Sequence, residues 1–146
     1  MELSDLYSNK IIEIAGSLPI TEPISDPDAR ARKVSRICGS VVEVALKMHD
    51  GVVGAYAHEV SACALGQTTA SIVAQHIVGS TPEELRDVRA QMYAMLKEDG
   101  APPTGKWADL KYLEPVRTYT ARHTSTLLVF DAVVECLDEI EKVSAQ

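Results

Sequence analysis

Residues 40–58 constrain the fold more than any other stretch. From Ser40 to Met48, Val42, Val44, Leu46 and Met48 alternate with Val41, Glu43, Ala45 and Lys47. A period of two is the signature of a strand with one buried face. His49-Asp50-Gly51 then makes a turn, and a second run follows through Val52, Val53, Gly54, Ala55, Tyr56, Ala57 and His58. Asp-Gly between two alternating runs predicts an antiparallel hairpin. A preceding strand over Val34 to Ile37 would extend it to a sheet of about three strands. Such a sheet buries one face only, so it needs a covering layer.

That layer follows in the sequence. After residue 63 the period lengthens, and Leu65, Thr69, Ile72, Val73, His76 and Ile77 take helical spacing up to a stop at Gly79. Ser80-Thr81-Pro82-Glu83-Glu84 predicts a second helix start, with a cap, a first-turn proline and acids at the positive end of the dipole. Leu85, Val88, Met92, Met95 and Leu96 form its stripe. A Gly/Pro loop spans Gly100 to Lys106, and a short helical turn is expected at Asp109 to Leu113. A last helix starts near Thr124 or Ser125, with Phe130, Val133, Leu137 and Ile140 on its apolar face. At the other end, Ser4 can cap a helix carrying Leu3, Tyr7, Ile11 and Ile14, ended by Gly16 and Pro19. Helix, meander, then helices predicts an α+β fold: a three-stranded antiparallel sheet with helices packed on one face, in one domain spanning residues 1–146.

Charge narrows the function. Fourteen basic against 21 acidic residues give a net charge of −7 and a pI near 5.0. A nucleic-acid binder needs a basic face to displace counterions, so nucleic acid is not an expected partner. Attachment to an anionic membrane is disfavoured for the same reason. No apolar run is long enough to span a bilayer. The acidic Met1-Glu2-Leu3-Ser4-Asp5 is not the start of a secretory signal. Three cysteines, Cys38, Cys63 and Cys136, are too few for a disulfide framework, which points to a reducing, cytoplasmic setting.

The cysteines carry most of the chemistry. Cys38 lies in Ile37-Cys38-Gly39-Ser40, at the bend into the hairpin, after Arg32, Lys33 and Arg36. Cations favour a thiolate, although a half-buried cysteine beside solvated edge charges fits as well. Cys63 lies where the second long strand hands over to a helix, and a helix N-terminus also favours a thiolate. A small residue plugging a helix start is the plainer alternative. Cys136 sits among core positions of the last helix and is assigned to packing. Among His49, His58, His76 and His123, no pair has the spacing of a zinc finger or a helical zinc-protease site. A cysteine nucleophile at position 63 with His123 or His58 as base is conceivable, but no orienting third group can be named. Trp107 and Tyr112 are read as a satellite cluster under the Gly/Pro loop. The acids from Glu135 to Glu141 are read as a solvated helix face.

Taken together, Cys38-Gly39, the Val/Glu/Val hairpin and Ala62-Cys63-Ala64-Leu65-Gly66-Gln67-Thr68-Thr69-Ala70-Ser71 resemble the U-type iron–sulfur cluster assembly scaffolds. That family comprises IscU, SufU and the N-terminal domain of NifU. The resemblance continues through Asp109-Leu110 and Ala121-Arg122 to Leu127, Phe130 and Ala132, and covers residues from about 5 to 140. The long stretch between Cys63 and the last helix resembles the SufU branch most.

The resemblance implies the same α+β fold and a non-enzymatic role as scaffold or carrier. In the family three cysteines from three loops converge at one end, hold a nascent iron–sulfur cluster, iron or zinc, and accept sulfur from a cysteine desulfurase before passing the cluster to acceptor proteins. Cys38 and Cys63 match the first two. Ser125 stands at the third and Ser40 replaces the family aspartate, while Tyr119-Thr120-Ala121-Arg122 stands where the IscU branch has its chaperone-recognition prolines. Clusters prefer soft anionic thiolates, and serine is a harder donor. The expected cluster-binding residues are therefore Cys38, Cys63 and Ser125, and the expected metal ligands Cys38, Cys63 and His123. Two chains, as a homodimer, could share a 2Fe–2S cluster through four thiolates. The alternative is an adaptor that keeps the fold and has lost the cluster.

Overall fold

The computed structural model describes residues 7–144. Its elements are α1 (Asn9–Gly16), β1 (Ala29–Val34), β2 (Val41–His49), β3 (Val52–Ser61), α2 (Ala64–His76), α3 (Pro82–Lys97), 3₁₀ turns over Gly105–Thr118 and Thr120–Arg122, and α4 (His123–Ser144). The strands form one antiparallel sheet in the order β1-β2-β3. This is the expected α+β arrangement.

The hairpin forms where the alternation predicts it. His49 faces Val52 across a two-residue loop, and Asp50 and Gly51 have φ values of 51° and 83°. Two successive positive φ angles make a type I′ turn, whose twist matches that of the strands. Val42, Val44 and Leu46 are buried on the inner face, while Arg32, Glu43 and Glu59 lie in register on the outer one. The first strand lies earlier than the sequence suggests. It runs over Ala29–Val34, and residues 35–40 are the bend that leads into β2. Only Ala29 and Ala31 supply its buried face, a weak apolar signal between Arg30 and Arg32.

The outer edge of β3 is tied at two points. Thr21 Oγ1 accepts from His58 N at 2.9 Å, and the backbone bonds Val53 N to Ser80 O (2.9 Å) and Gly79 N to Val53 O (2.8 Å) cover the other end.

The helices start where their caps allow. Thr81 Oγ1 accepts from Glu84 N at 3.1 Å, which completes the predicted start of α3. Ser8 caps α1 through Ile11 N at 3.2 Å, and the expected cap at Ser4 lies outside the described residues. The short turn expected at 109–113 is part of a longer 3₁₀ run, whose buried Trp107, Leu110, Leu113 and Val116 recur every third residue. Three residues per turn puts all four on one side. Trp107 packs edge-on to Phe130 and donates to Glu84 Oε2 at 2.8 Å, so it belongs to the core.

Helix α4 is the centre of the molecule. Leu127, Leu128, Val129, Phe130, Ala132 and Val133 are each no more than 2% exposed. A helix apolar on all sides is a core helix, and each of its leucine, valine and phenylalanine side chains adds about 1.5–3 kcal/mol on burial. The acids of its C-terminal half form the solvated face the sequence predicts, Glu135, Asp138, Glu139 and Glu141 all being exposed, and there Asp138 and Glu141 pair with Arg86 of α3 at 2.8 and 3.2 Å and Glu135 with Lys33 of β1 at 3.5 Å. Among the described residues no helix is long and apolar enough to cross a membrane.

Candidate metal centre

Three chain segments meet at one end of the molecule. The first is the bend between β1 and β2, closed by backbone bonds from Ser35 N to Ser40 O and from Gly39 N to Ser35 O, both 2.8 Å. Gly39 takes φ 73° there, a conformation that suits glycine. The bend holds Cys38 Sγ 3.0 Å from Ser40 Oγ and 3.3 Å from Ser35 Oγ. Both hydroxyls are buried, while the sulfur is partly exposed.

The second segment is the entry to α2. Cys63 occupies the cap position, yet its side chain makes no capping bond to the helix. Its sulfur instead lies 3.6 Å from Ser125 Oγ. Ser125, in the first turn of α4, is the third segment. It is buried, and its hydroxyl donates to Arg122 O at 3.3 Å. Gly66 permits this meeting. A Cβ there would come within 2.9 Å of Ala62 Cβ and 3.2 Å of Ser125 O, so a larger residue would push the two helix starts apart.

Electrostatics distinguishes the thiols. Burial pushes the Cys38 thiol up. Hydrogen bonds from the Ser35 and Ser40 side chains, the Ser40 backbone and the Ser125 hydroxyl outweigh it, and the thiol comes down to about 7 from an ordinary 9.0. The neutral thiol donates to Ser35. Once ionised, it accepts from the hydroxyls, which favours the charged form. Ser125 thus bears on both Cys38 and Cys63, which joins two thiols 25 positions apart in sequence. Cys136 is the opposite case, buried with Sγ 3.7 Å from Val44 O and pushed up to about 12 by burial and the charge of Glu135.

His123 does not join this group. Its ring is buried, with Nε2 3.0 Å from Val116 O and 3.1 Å from Arg117 O, and Nδ1 3.4 Å from Lys97 Nζ. A ring that donates to a carbonyl on one side and faces an ammonium on the other has no nitrogen left for a metal. The expected His123 ligand is therefore corrected to a residue that ties α4 to the 3₁₀ run. Among the described residues no three Cys, His, Asp or Glu side chains converge as a metal-binding group. His58 is structural too: Nε2 meets Pro19 O at 2.9 Å and Nδ1 faces the Tyr56 hydroxyl at 3.4 Å. A base partner for Cys63 is not found in either ring. Ser35 is the site residue that sequence reasoning missed, and its place three residues before Cys38 in a tight bend was the available signal.

No family model matches the sequence. The chain is similar to the iron–sulfur cluster assembly scaffold protein IscU of Thermotoga maritima, 24% identical over 137 residues that cover 94% of this chain and 96% of that protein. Its fold matches a crystal structure described as a putative iron–sulfur cluster assembly scaffold protein for the SUF system, SufU, from Fervidobacterium islandicum AW-1, with a TM-score of 0.83 at 16% identity over 93% of this chain and 99% of the other. It also matches the N-terminal part of a nitrogen-fixing NifU-like protein from Brucella abortus, with a TM-score of 0.93 and 52% identity over 96% of this chain and 97% of that one. With more than half the residues identical to that protein along nearly its whole length, and Cys38 and Cys63 set at one end of the same architecture, the chain belongs to the U-type iron–sulfur cluster assembly scaffold family.

Proposed function

We propose that this protein is a non-enzymatic scaffold or carrier that holds an iron–sulfur cluster, or the iron for one, through Cys38 and Cys63. One observation carries the reading: Cys38 and Cys63 are partly exposed thiols from distant segments, and Ser125, 3.6 Å from the Cys63 sulfur, also helps lower the Cys38 thiol. Thiolates are the donors that iron–sulfur chemistry requires. Ser40 would donate a hydrogen bond to the bound Cys38 sulfur, and Cys38, ionised near neutrality, would be the first thiolate to engage. The partners this role implies are a cysteine desulfurase that supplies sulfur and acceptor proteins that take the cluster, in a reducing cytoplasmic compartment.

Anaerobic incubation of the intact chain with ferric iron and sulfide, followed by desalting, tests the reading. The expected product has visible absorbance and retained iron, and the Cys38→Ala/Cys63→Ala variant has neither. A second reading rests on the serines at positions 40 and 125, which replace two anionic ligands of the family. Under it the chain is an adaptor that keeps the fold without the cluster. A colourless, iron-free wild-type product would establish that reading in place of the first.

A further inference from the structure

We propose that the free margin of β1 is a docking strip for an extended acidic segment of a partner protein, which adds to the sheet as a further strand. The inference stands apart from the cluster-binding role proposed above, because it needs no iron and its test uses the metal-free chain. The backbone supplies the first observation. Among the described residues β1 pairs with β2 alone, and its other margin faces no strand. Ser35 N donates to Ser40 O at the entry to β2, at 2.8 Å. Successive N–H groups of a strand point to opposite sides, so those of Val34 and Arg32 point away from β2. Unpaired groups of this kind are a template for another strand.

Charge then selects the strand. Residues 29–42 hold four of the 14 basic residues, Arg30, Arg32, Lys33 and Arg36, and none of the 21 acidic ones. This segment therefore carries +4 and the rest of the chain −11. Glu43 pairs with Arg30 at 4.0 Å and Glu135 with Lys33 at 3.5 Å, whereas Arg32 and Arg36 form no ion pair among the described residues. Arg30 and Arg32 stand exposed at alternate positions of β1. Val34 follows at 46% exposure, and Ile37, in the bend beside Cys38, is 71% exposed. A segment with acids at alternate positions and an apolar residue beyond them matches this order. The charges that turn back a second copy of β1 admit a strand of opposite sign. A nucleic acid or an anionic membrane would also meet the acidic remainder of the chain, whereas one added strand lies on the strip.

The probe is a labelled synthetic segment that alternates threonine with two glutamates and a closing valine. It is titrated into the intact metal-free chain by fluorescence anisotropy, and amide hydrogen exchange of the complex is followed by NMR. Saturable binding that weakens with added salt is expected, and the amides of Arg32 and Val34 should gain protection while those of β3 stay unchanged. Arg32→Glu/Arg36→Glu should weaken binding about tenfold with an unchanged circular dichroism spectrum, since like charges then face each other. Val34→Pro keeps every charge and removes one outward N–H, so binding should fall several-fold with its salt dependence retained. If that variant does not fold, the exchange data on the wild type decide the same point. Absence of binding would overturn the proposal, and binding that leaves the two amides unprotected would overturn the strand addition. Equal binding of an oligoribonucleotide, or of a segment with lysine in place of glutamate, would overturn the acidic protein partner.

Discussion

Cys38 and Cys136 are the same side chain in two surroundings, and they separate in opposite directions. Cys136 lies between α4 and the sheet with a backbone carbonyl as its nearest polar neighbour, and burial pushes its thiol up to about 12. Cys38 also loses some solvation, but hydroxyls meet its sulfur and bring it down to about 7. Burial keeps Cys136 inert, whereas at the less buried Cys38 the donors that reach the sulfur together outweigh it. The two regions divide the labour accordingly. The interior around α4 holds the fold, and the serine-lined end holds the chemistry.

The largest expected effect breaks the interior and spares the other end. Phe130→Ala, at a fully buried position, should cost about 3–5 kcal/mol in denaturant unfolding, while the titration of Cys38 in the remaining folded protein stays the same. A shift in that titration would show that the two regions are not separable. Gly66→Ala acts between them. Its methyl group meets Ala62 and the Ser125 backbone, and a loss on the order of 1–3 kcal/mol in a thermal melt is expected, with altered Cys63 alkylation. Alkylation of the metal-free protein sharpens the comparison directly. Cys38 should react with a midpoint near pH 7, Cys136 should stay unreactive until the chain unfolds, and Ser40→Ala should move the Cys38 midpoint upward. The smallest effect is on stability. The folded state lowers the Cys38 value, so the wild type should gain on Cys38→Ala as pH rises through about 7, reach its full advantage above 9.0, and lose it below 7. Paired urea titrations at the two extremes measure the difference, and an advantage that grows toward acid would refute the assignment.

Legibility in the sequence followed the range of the forces involved. The hairpin of β2 and β3 was readable because alternation and Asp-Gly are local signals. The start of α3 was readable because Thr81, Pro82 and the two acids act within one turn. β1 was misplaced because an edge strand with alanines inward and arginines outward takes its register from β2, not from its own residues. The 3₁₀ run was underestimated, though Trp107, Leu110, Leu113 and Val116 at intervals of three did announce it. At the site, Cys38 and Cys63 stood out by their local surroundings, while Ser125 and the meeting of all three came from family resemblance, since that meeting depends on contacts across the whole chain. His123 was misread because sequence fixes that a ring is near α4 but not which way it turns, and the carbonyls of Val116 and Arg117 decide that.

The ties along β3 bear on how such a molecule can keep reactive sulfur at its surface. With Thr21 holding the backbone at His58 and Gly79 and Ser80 holding it at Val53, a stray strand finds those hydrogen-bonding groups already satisfied. At the opposite margin it meets Arg30, Arg32 and Lys33. Edge-to-edge pairing with a second sheet is thereby discouraged on both flanks.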